Sequence, residues 1–244
     1  MMALLVLVMA ASQGTGSSAP SLAECAAANR VPCIRELLRS GADIEARNDD
    51  DRSPLMAASE AGADEAVKEL LEQGADIEAI DDSYSMNALS YAVWKGRKST
   101  VELLLEAGAK VEPEGAMLSP LFRASVSGPS RLVSLLLEAG ASVERRTRQG
   151  ETPLYIASCN SSQNEKLMLL IAAGSDVDAE AHDGTTPLLC AVRHRRWNAA
   201  RILLQAGADP NLMDEKGNCP LSIALERGQK DIIELLREAR ALPC

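Results

Sequence analysis

The sequence predicts an all-α solenoid of about seven stacked units, each a β-turn followed by a helix-turn-helix, and three observations carry that reading. A glycine with a small, mostly polar sequel recurs as Gly41-Ala42-Asp43, Gly74-Ala75-Asp76, Gly108-Ala109-Lys110, Gly140-Ala141-Ser142, Gly174-Ser175-Asp176 and Gly207-Ala208-Asp209. The spacings are 33, 34, 32, 34 and 33 residues. Three residues before each glycine an aliphatic pair ends: Leu37-Leu38, Leu70-Leu71, Leu104-Leu105, Leu136-Leu137, Leu170-Ile171 and Leu203-Leu204, with Leu235-Leu236 closing the series. Aromatic residues number only six, one Phe, two Trp and three Tyr, so the core must be small aliphatic packing rather than aromatic anchors.

Residues 1–19 form an N-terminal extension. Its apolar run Ala3 to Ala11 is too short to span a bilayer and has the length of a signal-peptide core, but no basic residue precedes it. The expected compartment is the cytoplasm; secretion is the alternative if residues 1–11 act as a signal. The first unit, residues 20–47, opens on Pro20-Ser21-Leu22. The next five, residues 48–80, 81–113, 114–145, 146–179 and 180–212, open their first helices at Ser53-Pro54-Leu55, Asn87-Ala88-Leu89, Ser119-Pro120-Leu121, Thr152-Pro153-Leu154 and Thr186-Pro187-Leu188. The last, residues 213–244, does so at Cys219-Pro220-Leu221 and ends without a terminating glycine. A hydroxyl before Pro caps free N–H groups, and Pro is preset for the first helical turn. Small residues such as Ala57-Ala58, Ala92-Val93 and Ala191-Val192 keep the first helix slim, and glycine at 62, 96, 128 and 228 breaks the chain before the second helix. The glycine after the aliphatic pair ends that second helix in the left-handed conformation. One extra residue lies in the turn before Asn87 and another within Cys159 to Glu165.

This pattern resembles the ankyrin repeat family from about Pro20 to the C-terminus. The histidine that family carries after its Thr-Pro-Leu is replaced by Met56, Ser90, Phe122, Tyr155, Leu189 and Ser222. The resemblance implies a scaffold or adaptor that binds another protein on its concave face, through turn tips and the residues closing each first helix. In the third and fourth units these positions are Tyr84, Met86, Trp94 and Lys95, then Met117, Leu118 and Val126. In the fifth to seventh they are polar: Arg148, Gln149 and Glu151, then His182, Asp183, Arg193 and His194, then Glu215, Lys216, Glu226 and Arg227. The apolar set invites a partner. The competing reading folds Trp94 and Met117 inwards to patch the joint where the spacing drops to 32.

The net charge of −10 disfavours a phosphate-backbone binder. Between Asp43 and Asp82 stand 14 acidic and three basic residues, which suggests an alternative role as an inhibitor or chaperone masking a basic surface. An enzyme or small-ligand binder is disfavoured, because His182 and His194 have no nucleophile at a motif spacing. The run Gly96-Arg97-Lys98-Ser99-Thr100 lacks the upstream glycine of a phosphate loop, and Arg193-His194-Arg195-Arg196-Trp197 is a lone basic cluster in an acidic chain. Cys25, Cys33, Cys159, Cys190, Cys219 and Cys244 form no C-x-x-C pair, so no metal is expected and the thiols are read as reduced. The sequon Asn160-Ser161-Ser162 matters only in a secreted chain. The expected protein is monomeric, with no cofactor, no nucleic-acid partner and no membrane span.

Overall fold

A computed structural model describes residues 19–160 and 164–244. The run Ala3 to Ala11 and residues 161–163 of the insert lie outside them. Among the described residues there are 14 helices and no strand. The first helices are α1 (Leu22–Ala27), α3 (Pro54–Ala61), α5 (Ala88–Trp94), α7 (Pro120–Ser127), α9 (Pro153–Cys159), α11 (Pro187–Arg193) and α13 (Pro220–Glu226). Their antiparallel partners are α2 (Val31–Arg39), α4 (Asp64–Glu72), α6 (Lys98–Glu106), α8 (Ser130–Glu138), α10 (Asn164–Ala172), α12 (Trp197–Gln205) and α14 (Lys230–Glu238). Each first helix packs on the next first helix and each second on the next second, which is the contact pattern of a solenoid.

The hydroxyl and amide caps act as the residue types dictate. Ser53, Ser119, Thr152 and Thr186 accept from the N–H three residues on, at 3.4, 3.1, 3.2 and 3.2 Å, and Asn87 does so at 2.9 Å. Each such cap is worth about 1 kcal/mol. At the other end of the second helices, Gly41, Gly74, Gly108, Gly140, Gly174 and Gly207 take φ between 88° and 97°. The following N–H then reaches back to the helix, as Ala75 N to Leu70 O at 2.9 Å. In the last unit Arg240, with φ 63°, does the glycine's work, and Ala241 N still reaches Leu236 O.

One core runs the length of the stack. Leu55, Leu89, Leu121, Leu154 and Leu188 are buried from the first helices, and Leu70, Leu104, Leu136, Leu170, Leu203 and Leu236 from the second. Four of the joints are also stitched by side chains at the start of α6, α10, α12 and α14 that reach the end of a first helix in the preceding unit. Arg97 Nε donates to Glu60 O at 3.0 Å, Lys166 Nζ to Ala124 O at 2.6 Å, Arg196 Nε to Cys159 O at 2.9 Å and Gln229 Nε2 to Val192 O at 3.1 Å. Glu60 O and Cys159 O are carbonyls of the kind a helix end leaves open, whereas Ala124 O and Val192 O accept these bonds in addition to a backbone N–H.

The reading of six reduced thiols is corrected. Disulfides join Cys25 to Cys33, Cys159 to Cys190 and Cys219 to Cys244, with Cα atoms 6.0, 5.3 and 6.2 Å apart, and no cysteine is free. The stack explains the pairings. Cys159 and Cys190 are 31 residues apart, close to one repeat, so they meet on adjacent first helices. Cys25 and Cys33 face each other across the turn between α1 and α2, and Cys244 folds the tail back onto the start of α13.

Candidate protein-binding face

The turn tips are held by side chains that replace ladder hydrogen bonds. In the second unit Asn48 Oδ1 accepts from Asp50 N and Arg52 N at 3.1 and 2.9 Å. In the third, Asp81 is fully buried; its carboxylate accepts from Tyr84 N, from Met86 N at 3.2 Å and from Tyr91 Oη–H at 3.0 Å. Burial, reinforced by Asp81, pushes the Tyr91 phenol up to about 12, while Arg52 Nε donates to the same oxygen at 3.3 Å. The later tips use Thr147, whose Oγ1 accepts from Gln149 N and Glu151 N, and Asp183, whose carboxylate accepts from Thr185 N. Asp214 does the same for Lys216 N and Asn218 N. Burial alone would raise Asp214, yet the Asn218 contacts and Arg193 bring it below its ordinary value.

On this frame the apolar residues of the third and fourth units point outwards. Tyr84 is 60% exposed, Trp94 44%, Met117 45% and Val126 40%. Trp94 does not patch the joint. Its ring lies under Lys95 Nζ, 4.0 Å from the ring centroid, and Lys95 also pairs with Glu60 Oε1 at 3.1 Å. Glu60 in turn holds Arg52, whose guanidinium sits 5.1 Å over the Tyr91 ring. These charges border a groove of about 360 Å³ reaching Glu24 of α1. The Trp94 ring is thus held by the Lys95 cation and by the tilted Tyr91 ring, centroid 6.3 Å away; Trp197, in the sixth unit, is the other exposed tryptophan, at 39%.

Met86 is a correction. It is 3% exposed and packs with Met56 and Tyr91; it stands just before the helix cap, a position that is also buried in the sixth tip, where Thr185 occupies it. Leu118 is half-buried. Arg148 is exposed, and Glu151 accepts from Thr147 Oγ1–H at 3.0 Å. Arg193 pairs with Asp214 and donates to Thr185 Oγ1, lining a smaller hollow of about 250 Å³ with Lys216 and Arg227. His194 is exposed, and partial burial with Arg196, Arg227 and Arg193 nearby holds its imidazole below the usual value. The structure therefore splits the proposed contacts into an apolar cluster at Trp94 and a polar one at Arg193. Arg52 and Glu60 were missed in the sequence; their signal was opposite charge eight residues apart within one unit.

A family model for ankyrin repeats (3 copies) matches residues 22–115 and 160–242. The chain belongs to the ankyrin repeat family, whose domains are generally protein–protein interaction modules. Among solved structures it is similar to the human ASB11 ankyrin repeat domain, at 25% identity and a TM-score of 0.78, over 93% of this chain and 100% of that one. It is also similar to the ankyrin repeat domain of Bcl-3, a unique member of the IkappaB protein family. That match, at 24% identity and a TM-score of 0.76 over 91% of this chain and 100% of that one, shows the fold alone. No curated protein matches. Among the described residues no helix is long and apolar enough to cross a membrane.

Proposed function

We propose that this protein is an interaction scaffold whose partner docks on the inner face around Trp94. The observation that carries the reading is the exposure of Tyr84, Trp94 and Met117 on neighbouring tips and helix ends, in a chain with only six aromatic rings. Exposed tryptophan and tyrosine beside desolvated charges have the composition of an interface hot spot. The acidic block from Asp43 to Asp82 supports the masking role less well, because many of its carboxylates are already engaged. Glu69 holds Arg35, Glu60 holds Arg52 and Lys95, Asp81 holds its own tip, and Asp64 accepts from Thr100 Oγ1–H. The test is parallel capture from native extract with wild-type and Trp94→Ala baits. A protein retained by the first and by Arg148→Ala, and lost with the second, supports this face; a protein bound equally by all three places the interface elsewhere.

The working compartment follows the cysteines. A chain carrying all three bridges belongs to an oxidising compartment, and a cytoplasmic chain would hold thiols. Alkylating the chain in intact cells before lysis, then weighing it, separates the two.

A further inference from the structure

We infer that Cys159, Cys190 and His194 form a site for a soft divalent metal ion, opened by reduction of the two cysteines and closed by their oxidation. The two Sγ atoms and one imidazole nitrogen all lie within 4.8 Å of one another. Cys159 ends α9 and Cys190 lies within α11, which packs directly on α9. His194 caps α11 four residues after Cys190, on the same side of the helix. A cystine that only staples two helices needs no histidine at its third vertex. Among the described residues neither of the other two cystines has such a companion.

The donor set decides the metal class. Two thiolates and an imidazole select zinc over hard cations such as magnesium or calcium, and three protein ligands leave a fourth position for water or a partner's side chain. Tetrahedral bonds of about 2.3 Å put the sulfurs about 3.7 Å apart. With the Cα atoms 5.3 Å apart, that separation is reached by side-chain rotation without moving either helix. Arg193, Arg196 and Arg227 lie near His194, and Arg196 donates to Cys159 O at 2.9 Å. A dication bound by two thiolates and a neutral imidazole carries no net charge, so the arginines add little repulsion to the occupied site.

Closure balances with a small disulfide, such as oxidised glutathione, as electron acceptor. One cysteine thiolate attacks it and releases one small thiolate; the second cysteine attacks the mixed disulfide, forms the Cys159–Cys190 bond and releases the other. The sulfurs are then no longer anionic ligands and the ion departs. A dithiol reopens the site by two further exchanges, attacking the Cys159–Cys190 bond and then closing on itself as a cyclic disulfide while both cysteine thiolates are released. Since Arg193 and His194 end the first helix of the sixth unit, loading the site would change the polar end of the inner face.

The experiment uses the full chain reduced by a phosphine under anaerobic conditions and titrated with Co²⁺, read by thiolate-to-cobalt charge-transfer absorption. Wild type and Cys25→Ser/Cys33→Ser should take up a single ion with that band. Cys159→Ser/Cys190→Ser should lose the band, and His194→Ala, a change at an exposed position, should bind roughly tenfold or more weakly. Oxidised glutathione added to the zinc-loaded wild type should release zinc to a chromogenic chelator. Absence of the band in reduced wild type overturns the proposal, as does its persistence in Cys159→Ser/Cys190→Ser. Equal affinity in His194→Ala does so as well, and that variant remains informative if the double serine variant fails to fold.

Discussion

Glu45 Oε1 accepts a hydrogen bond from the backbone N–H of Asp76, one unit further on, at 2.8 Å. The same relation recurs down the stack. Glu78 accepts from Lys110 N at 2.7 Å, Glu112 from Ser142 N at 3.1 Å, Glu144 from Asp176 N at 2.8 Å and Asp178 from Asp209 N at 3.0 Å. Asn211 ends the series by accepting from Leu242 N at 2.8 Å. The donor in each internal joint lies two residues after the left-handed glycine, where the helix has ended and no backbone partner remains. One acceptor per joint therefore couples each turn to its neighbour, which is the nearest-neighbour term a repeat array depends on.

Breaking one joint should be measurable. Glu144→Ala removes the acceptor for Asp176 N and should lower the unfolding free energy by about 1 kcal/mol. Glu144→Gln keeps an oxygen in place, as Asn211 does naturally, and should cost less than half as much. Urea unfolding of the two variants checks this; equal losses would mean that charge, and not the hydrogen bond, matters at the joint.

Two turn glycines should differ sharply in tolerance. Gly150 has φ 81°, and a Cβ there would stand 2.9 Å from His182 N and 2.6 Å from the His182 ring, because the fifth tip lies against the sixth. Gly217 has φ 77° with nothing within 4 Å. Gly217→Ala should cost about 1 kcal/mol for the left-handed backbone alone, and Gly150→Ala on the order of 3 kcal/mol because contact is added to strain. Thermal unfolding of both gives the comparison.

The pH dependence should have two arms. The hydrogen bond from Arg35 holds Glu69 below its ordinary value against burial, and Asp183 and Asp214 are also lowered. A carboxylate with a depressed folded value stabilises above its unfolded value and loses that contribution as pH falls, so stability should decline below about pH 4. Lys166 behaves oppositely. Burial lowers its amine from 10.5 to about 8, so the unfolded chain binds more protons between those values and stability should rise as pH increases through that window. Lys166→Met should flatten that rise, while its loss of the bond to Ala124 O lowers the whole curve. Above pH 10 the raised Tyr91 opposes further gain, because its phenol ionises more readily in the unfolded chain. Denaturant titrations from about pH 3 to about pH 12 with both proteins test the signs.

The periodic glycines and leucines made the stack legible, since both report local needs: a left-handed helix end and a buried first-helix face. Joints between units were less so. Glu45 and Glu78 were only two members of the acidic block between Asp43 and Asp82 until the stack set them against the next turn, and Cys159 and Cys190 read as reduced thiols until adjacent helices superposed them. At the binding face, position within the unit identified Trp94 as exposed but misplaced Met86, because the residue just before the helix cap turns inwards there, as Thr185 does in the sixth tip.

Trp94 should separate binding from stability. It is 44% exposed, its ring contacts the flexible Lys95, and the core beneath it is closed by Tyr91, Ala92 and Val93, all fully buried. Truncation to Ala should then leave the melting temperature almost unchanged, while removing an anchor worth about 2 kcal/mol of affinity for the partner. Tyr91→Phe provides the contrast. It deletes the hydroxyl that donates to buried Asp81 and accepts from Arg52, so it should lower stability by about 1 to 3 kcal/mol and disturb the tip that presents Tyr84. Calorimetry of both variants, free and with the captured partner, distinguishes the two positions. Loss of stability in Trp94→Ala with binding retained would place Trp94 in the core and move the interface elsewhere.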